Sequence, residues 1–258
     1  MSKEVGDYSY NLSFISQKDF ENHIKDTIAG YSEALKSINL KRFNSNLIDP
    51  IKLIFDKNVF GTTYEELIQL ELHRQRDKTN SNIIGHFHQN IFKFISNCTV
   101  PKQGWDVIVK SPKGNTFYVE IKNKHNTMNS SSASKTYMKF QSHLLTAADK
   151  NESICMLVEV IAKESRDIPR VVSIDGVRQP EHSRIRRVSV DKFYEYVTGD
   201  RLAFWKLCEQ LPRTIEMLIG KHRTLKVEED TVFQELKRLD NDALSALYKL
   251  AFKTYEGF

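Results

Sequence analysis

The feature that most constrains this chain is a change of hydrophobic period at Trp105. Upstream, Phe20, Ile24, Ile28, Tyr31 and Leu35 recur at three and four residues, which predicts a helix from Gln17 to about Ser37. Pro50 opens a second helix that ends near Gly61. "TTYEELIQLELHRQRDKTN" and "NIIGHFHQNIFKFIS" predict two more, separated by a polar break at Asp77–Asn80. From Trp105 the runs "WDVIVK" and "FYVEIK" are short, β-branched and aromatic. The "SPKGN" between them carries the Pro and Gly of a turn, so the pair predicts an antiparallel hairpin.

After a polar loop, "NKHNTMNSSSAS", the chain returns to helical spacing in "KTYMKFQSHLLTAAD". Strands are then expected at "SICMLVEVIA", "RVVSI" and "IRRVSV", and helices from Asp191 onward. This order predicts an α/β core built on a mixed sheet flanked by helices. A single domain over 1–258 is expected, with a helical part to about 96, an α/β core at 97–190 and a helical lobe at 191–258.

Composition narrows the function classes. Hydrophobic residues make up 40% of the chain, too many for a disordered one, and 38 Lys+Arg against 33 Asp+Glu give a formal charge of +5, a bias that suits a polyanionic partner. Cys98, Cys155 and Cys208 are odd in number and widely spaced, which excludes a disulfide framework or a zinc motif and predicts reduced core thiols. There is no leader-like apolar region and no run of membrane-span length, so a cytoplasmic protein without a membrane partner is expected.

The hairpin carries the chemistry. Glu-x-Lys occurs at Glu120-Ile121-Lys122 and at Glu235-Leu236-Lys237. The second lies in a helical pattern, where residues two apart point to different sides. On a strand they share a face, so Glu120 and Lys122 can act together while Ile121 points into the core. Antiparallel pairing adds Asp106 to them. Two neighbouring carboxylates repel, and a hard cation such as Mg²⁺ relieves that repulsion, while a lysine orients water: the apparatus of phosphodiester hydrolysis. The bland alternative is a solvated ion pair of little energetic weight.

Asp106 followed by Glu120-x-Lys122 resembles the PD-(D/E)XK nuclease superfamily. "VEIKNKHNTMNSSSASKTY" at 119–137, with "DPIKLIFD", "RQRDKTNSNIIGHFHQNIF" and "GWDV", resembles a subgroup of type II restriction endonucleases that cut GGNCC-like sites. The resemblance spans Asp49 to Tyr137, and Trp105 stands where the superfamily often has proline. It implies a restriction-endonuclease-like fold and Asp106 and Glu120 as Mg²⁺ ligands with the Ile121 carbonyl as a third. Lys122 becomes the water-orienting base or electrostatic stabiliser. Gln89, with Glu71 as a poorer choice, is the extra polar residue from a preceding helix. It further implies double-stranded DNA as substrate, a homodimer, 5′-phosphate products and a cognate DNA methyltransferase that protects host sites.

Asn123, Lys124, His125, Asn126 and Asn129 follow the motif and can contact phosphates or base edges. Lys135 and Lys139 at helical spacing can track a phosphate strand. Arg184, Arg186 and Arg187 can read guanine, and a basic sheet edge that deters aggregation is their bland alternative. His86 and His88 point apart on a helix and are expected to be structural, as Phe204, Trp205 and Leu207 are expected to be core. Two other readings stay open: a repair or junction-cleaving nuclease, and a DNA-binding protein on this scaffold that does not cut.

Overall fold

The computed structural model describes residues 9–125, 128–220 and 227–254. Its helix ends follow local capping chemistry. In α1 (Gln17–Ala34) the Asp19 N–H donates to Ser16 Oγ at 3.1 Å. Asn39 caps the short α2 (Leu40–Asn44). Asp49 accepts from the Ile51 and Lys52 N–H groups at the start of α3 (Pro50–Phe60), and Gly61, at φ 64°, ends that helix in the left-handed region where a Cβ brings strain. α4 (Tyr64–Asn90) opens on a reciprocal pair, Glu66 N–H to Thr63 Oγ1 and Thr63 N–H to the Glu66 carboxylate.

The expected break at Asp77–Asn80 is absent, and α4 runs through it. Those four residues include neither Pro nor Gly, and Thr79 Oγ1 donates back to the Gln75 carbonyl at 2.9 Å. Low hydrophobicity there marks a polar stretch of one helix rather than an end.

The chain divides into two compact units, one of Met1–Asp26 with Ile84–His222 and one of Thr27–Ile83 with Arg223–Phe258. The boundaries drawn from sequence near 96 and 190 both fall inside the first unit.

The strands belong to the first unit: β1 (Cys98–Thr99), β2 (Val107–Lys110), β3 (Thr116–Lys124), β4 (Ser153–Ile161), β5 (Asp167–Pro169), β6 (Ser173–Ile174), β7 (Val177–Arg178) and β8 (Ile185–Ser189). Six form a mixed sheet in the order β1-β2-β3-β4-β8-β5, and β6 and β7 form a separate ribbon. β2 and β3 pair antiparallel as expected, with Val107 opposite Val119. β3 and β4 are parallel, with Lys122 opposite Glu159, and so are β4 and β8, with Leu157 opposite Arg187. A parallel pair needs a crossover, supplied between β3 and β4 by α5 (Ser130–Thr146).

α5 lays Tyr137, Phe140 and Leu144 on Cys155, Leu157 and Ile185 of one sheet face. Each such side chain, fully buried, contributes roughly 1.5–3 kcal/mol relative to exposure. The other face presents buried Val107, Val119, Val158 and Val188. Against it lies α6 (Val190–Thr198), followed by α7 (Ala203–Ile219). Phe92 packs its ring against Phe193 and Tyr194 of α6.

Several expectations are corrected here. The Ser run at 130–134, expected as loop, is the first turn of α5, because Asn129 caps it. "RVVSI" yields only the two-residue β6, and the short edge strands β1 and β5 carried too few residues to show a period. Trp205 is 57% exposed and Cys208 is exposed, while Leu207 is buried: α7 is amphipathic, and its apolar residues are not confined to the inner face.

In the second unit, Ile38, Phe43, Leu53, Leu67 and Leu72 pack with Val232 and Leu236 of α8 (Val232–Leu239) and Leu247 of α9 (Ala243–Ala251). Arg76 and Asp230 form a buried ion pair, and Asp230 also accepts from the Ile38 N–H at 2.8 Å. The second Glu-x-Lys, at 235–237, is helical as the periodicity required. Among the described residues no helix is long and apolar enough to cross a membrane.

Candidate active site

The hairpin turn is closed by the Ser111 N–H on the Asn115 carbonyl at 2.8 Å and the Gly114 N–H on the Ser111 carbonyl at 3.0 Å. Its register brings Asp106, just before β2, beside the middle of β3. The Asp106 N–H donates to the Val119 carbonyl at 3.0 Å, and Asp106 Oδ2 accepts from the Ile121 N–H at 2.7 Å. The carboxylate thus continues the ladder where the β2 backbone stops. Since a strand residue presents its N–H and C=O to the same neighbour, the Ile121 carbonyl is directed to the Asp106 side as well.

Glu120 and Lys122 share the face covered by α5, with Lys122 Nζ 3.9 Å from Glu120 Oε2. That is an ion pair too long to be a hydrogen bond. The closer partner of Glu120 is Lys139, from α5. Its ammonium binds Glu120 Oε1 and the Gly104 carbonyl and sits 4.1 Å from the centre of the Trp105 ring. Lys139 therefore stands at the carboxylates rather than along an outer helix face, while Lys135, one turn earlier, is exposed. Gln89 Nε2 donates to the Asp106 main-chain carbonyl at 3.2 Å, so it supports the aspartate's backbone. Glu71 lies in the second unit, held by Arg74.

Among the described residues no three His, Cys, Asp or Glu side chains cluster to hold a metal. The donors on hand are two carboxylates and the carbonyl of Ile121. Few protein oxygens, with waters and a phosphate completing the shell, is the set that Mg²⁺ accepts, and the ammonium on Glu120 shows that a cation is favoured there. His86 is exposed and His88 is half-buried, with desolvation pushing its imidazole down to about 4; among the described residues neither joins a metal cluster.

Beyond Lys122 the same face opens into a cleft of about 330 Å³ lined by Lys122, Lys124, His125, Glu159, Arg170 and Arg187 among others. Glu159 accepts from Arg187 at 2.5 and 2.9 Å and from Arg166 at 2.9 Å. Burial alone raises its carboxyl, but these hydrogen bonds outweigh it and hold the group below the usual carboxylate range. Arg187 Nη2 also donates to the His125 carbonyl at 3.4 Å. Arg170, buried, is pushed down to about 10, first by burial and then by the charge of Arg187.

The other sequence candidates are placed as follows. Asn129 is the α5 cap, its side chain accepting from the Ser132 N–H at 2.8 Å. Asn123 alternates to the face opposite Lys122. Arg184 donates to the carbonyls of Lys150, Asn151 and Ser153. Arg186, on the face opposite Arg187, is held by Asp167 at 2.7 Å. Asn126 lies outside the described residues. Sequence reasoning passed over Glu159, Arg166 and Arg170. One signal was present, a lone acid inside the apolar run "SICMLVEVI", which a buried strand tolerates only when the acid is paired.

Sheet and hairpin together define a mixed α/β protein in which two carboxylates and two lysines gather where β2 gives way beside β3. Residues 12–220 match the family described as Eco47II restriction endonuclease, and the chain belongs to that family of type II restriction endonucleases. It is 33% identical over 232 residues, 87% of each chain, to the type II restriction enzyme Sau96I of Staphylococcus aureus. It is 27% identical over 221 residues, 81% of this chain and 89% of the relative, to the type II restriction enzyme Eco47II of Escherichia coli.

Proposed function

We propose that the protein is a Mg²⁺-dependent type II site-specific deoxyribonuclease that cuts both strands of double-stranded DNA at a GGNCC-like site and leaves 5′-phosphates. The observation that carries this reading is the meeting of Asp106, Glu120 and Lys122 at one strand edge, beside a cationic cleft, in a chain of this family. The GGNCC-like target rests on the resemblance of residues 119–137. Cutting both strands of a two-fold site calls for two such centres, hence a homodimer. A cognate methyltransferase protects the host's own sites.

Asp106, Glu120 and the Ile121 carbonyl would hold the metal. When bound, Mg²⁺ offsets charge on the phosphate and acidifies a water. Lys122 Nζ, on the same face as Glu120, orients the attacking water and stabilises the negative charge that develops on the phosphate oxygens. The water oxygen bonds to phosphorus in line as the bond from phosphorus to O3′ breaks, giving a 3′-hydroxyl and a 5′-phosphate. Gln89 fixes the Asp106 main chain and with it the carboxylate's aim.

Incubation with plasmid and Mg²⁺ tests the reading. Discrete fragments whose ends map to one GGNCC-like sequence are expected, with cutting abolished by chelation and restored by Mg²⁺. Lys122→Ala is expected to lose at least about a thousandfold in rate, some 4 kcal/mol of transition-state stabilisation, while still binding the site. Full cutting by that variant overturns the assignment, and random nicking overturns site specificity.

A further inference from the structure

The cleft next to Lys122 holds a cation that the catalytic reading does not use. Its walls are the end of β3, the first turn of α5 and residues 170–173. The two oxygens of Glu159 are already taken by Arg187 and Arg166. Arg170 is 4% exposed, and its Nη2 donates to the Ala133 carbonyl at 3.1 Å, while its guanidinium lies over the Phe140 ring. Its Nη1 has no hydrogen-bond acceptor among the described residues.

A buried charged donor left unpaired is costly, more so than a neutral one. Arg170 and Ala133, which anchors its Nη2, both line the cleft, so the guanidinium with its buried, unpaired Nη1 forms part of the cleft wall. Ser130, first residue of the seventeen-residue α5, lines it too, and the N–H groups of a helix's first turn point outward from that end and favour anions. With both oxygens of Glu159 taken, the charged groups left to meet a ligand here are positive. A guanine edge calls for a two-pronged arginine, and Arg170 has committed one prong to Ala133, which leaves a single donor suited to a phosphate oxygen.

We propose that this cleft binds a backbone phosphate of the DNA adjacent to the one that faces Asp106 and Glu120, with Arg170 Nη1 as its buried donor. The proposal rests on the nuclease reading above. Lys122 lines the cleft and also pairs with Glu120, so it lies between the two phosphates. Arg170 is then a positioning residue: it holds the strand so that the next phosphate meets the carboxylates.

The test uses duplexes in which single phosphates around the mapped cut are replaced by neutral methylphosphonates, with binding read by fluorescence anisotropy in EDTA, where no cutting occurs. Wild type is expected to lose about tenfold to a hundredfold in affinity when one neighbour of the scissile phosphate is neutralised. Arg170→Gln is expected to lose a similar factor on the unmodified duplex and to be indifferent, within about twofold, to that neutralisation. Equal sensitivity in both proteins overturns the proposal. So does a wild type that binds but ignores both flanking phosphates, a result that needs no variant and stands even if Arg170→Gln does not fold. A wild type that binds no duplex and cuts none refutes the nuclease reading itself, and the cleft's role with it.

Discussion

Glu159→Gln is the sharpest probe of how the cleft is held. The Glu159 side chain is 2% exposed, between Arg166 at 11% and Arg187 at 31%. Replacing the carboxylate by an amide of the same shape leaves no cavity, but two guanidinium groups lose their counter-charge. Breaking a buried pair costs about 3–5 kcal/mol, and the partial exposure of Arg187 places this case at the low end, about 3 kcal/mol. For a chain of this size that corresponds to roughly 6–12 °C in Tm. Both tryptophans, Trp105 and Trp205, lie in the first unit with Glu159, so urea unfolding followed by tryptophan fluorescence reads the unit concerned. The folded carboxyl is held below its unfolded value, so its contribution is complete above the unfolded pKa of about 4.3 and is lost as pH falls through the lower folded value. The gap between wild type and variant should therefore be constant at neutral pH and close in the acid range below about pH 4. A neutral-pH gap under about 1 kcal/mol, or one that persists undiminished to strongly acid pH, refutes the claim that ionised Glu159 holds the two arginines.

Asp230→Ala removes both the buried partner of Arg76 and the acceptor for the Ile38 N–H. A loss of about 3–5 kcal/mol is expected in urea unfolding followed by circular dichroism, and a change under about 1 kcal/mol refutes the pair's role in joining the second unit's two segments. Lys139→Met takes the competing ammonium off Glu120, and Mn²⁺ binding by titration calorimetry is expected to tighten by about tenfold or more. Unchanged or weaker binding shows that Lys139 does not compete for the carboxylate.

What was legible in the sequence was local. The β2–β3 hairpin could be read because Pro112 and Gly114 punctuate two β-branched runs, and period two then places Asp106, Glu120 and Lys122 together. The place of Lys139 at Glu120, and Arg170 altogether, were out of reach for another reason. Each meets the site through the register of a crossover: α5 returns Lys139 to Glu120, and the chain after β5 brings Arg170 under the first turn of α5. Single-strand periodicity holds no information about either distance. The second unit illustrates the same limit. The apolar faces of α8 and α9 announce a partner, yet nothing local says that it is the segment with Phe43 and Leu72. Trp205 shows the converse, a large apolar residue in a helical pattern whose exposed side the residue type does not reveal.

The charge arrangement explains why metal and DNA are expected to help one another. Parallel pairing sets Lys122 opposite Glu159, but that carboxylate is already shared by two arginines. Lys122 is left with a loose pairing to Glu120 Oε2, while Lys139 holds the other oxygen, Oε1. Five cationic groups, Lys122, Lys139, Arg166, Arg170 and Arg187, thus surround Asp106, Glu120 and Glu159. A divalent cation added to this group must displace an ammonium and deepens the positive excess, so alone it binds against repulsion. A DNA strand brings the missing negative charge to the cleft and to the carboxylate edge, and gives Lys139 another anion to pair with. Metal affinity should then rise when DNA is present, and by linkage DNA affinity should rise by the same factor when metal is present.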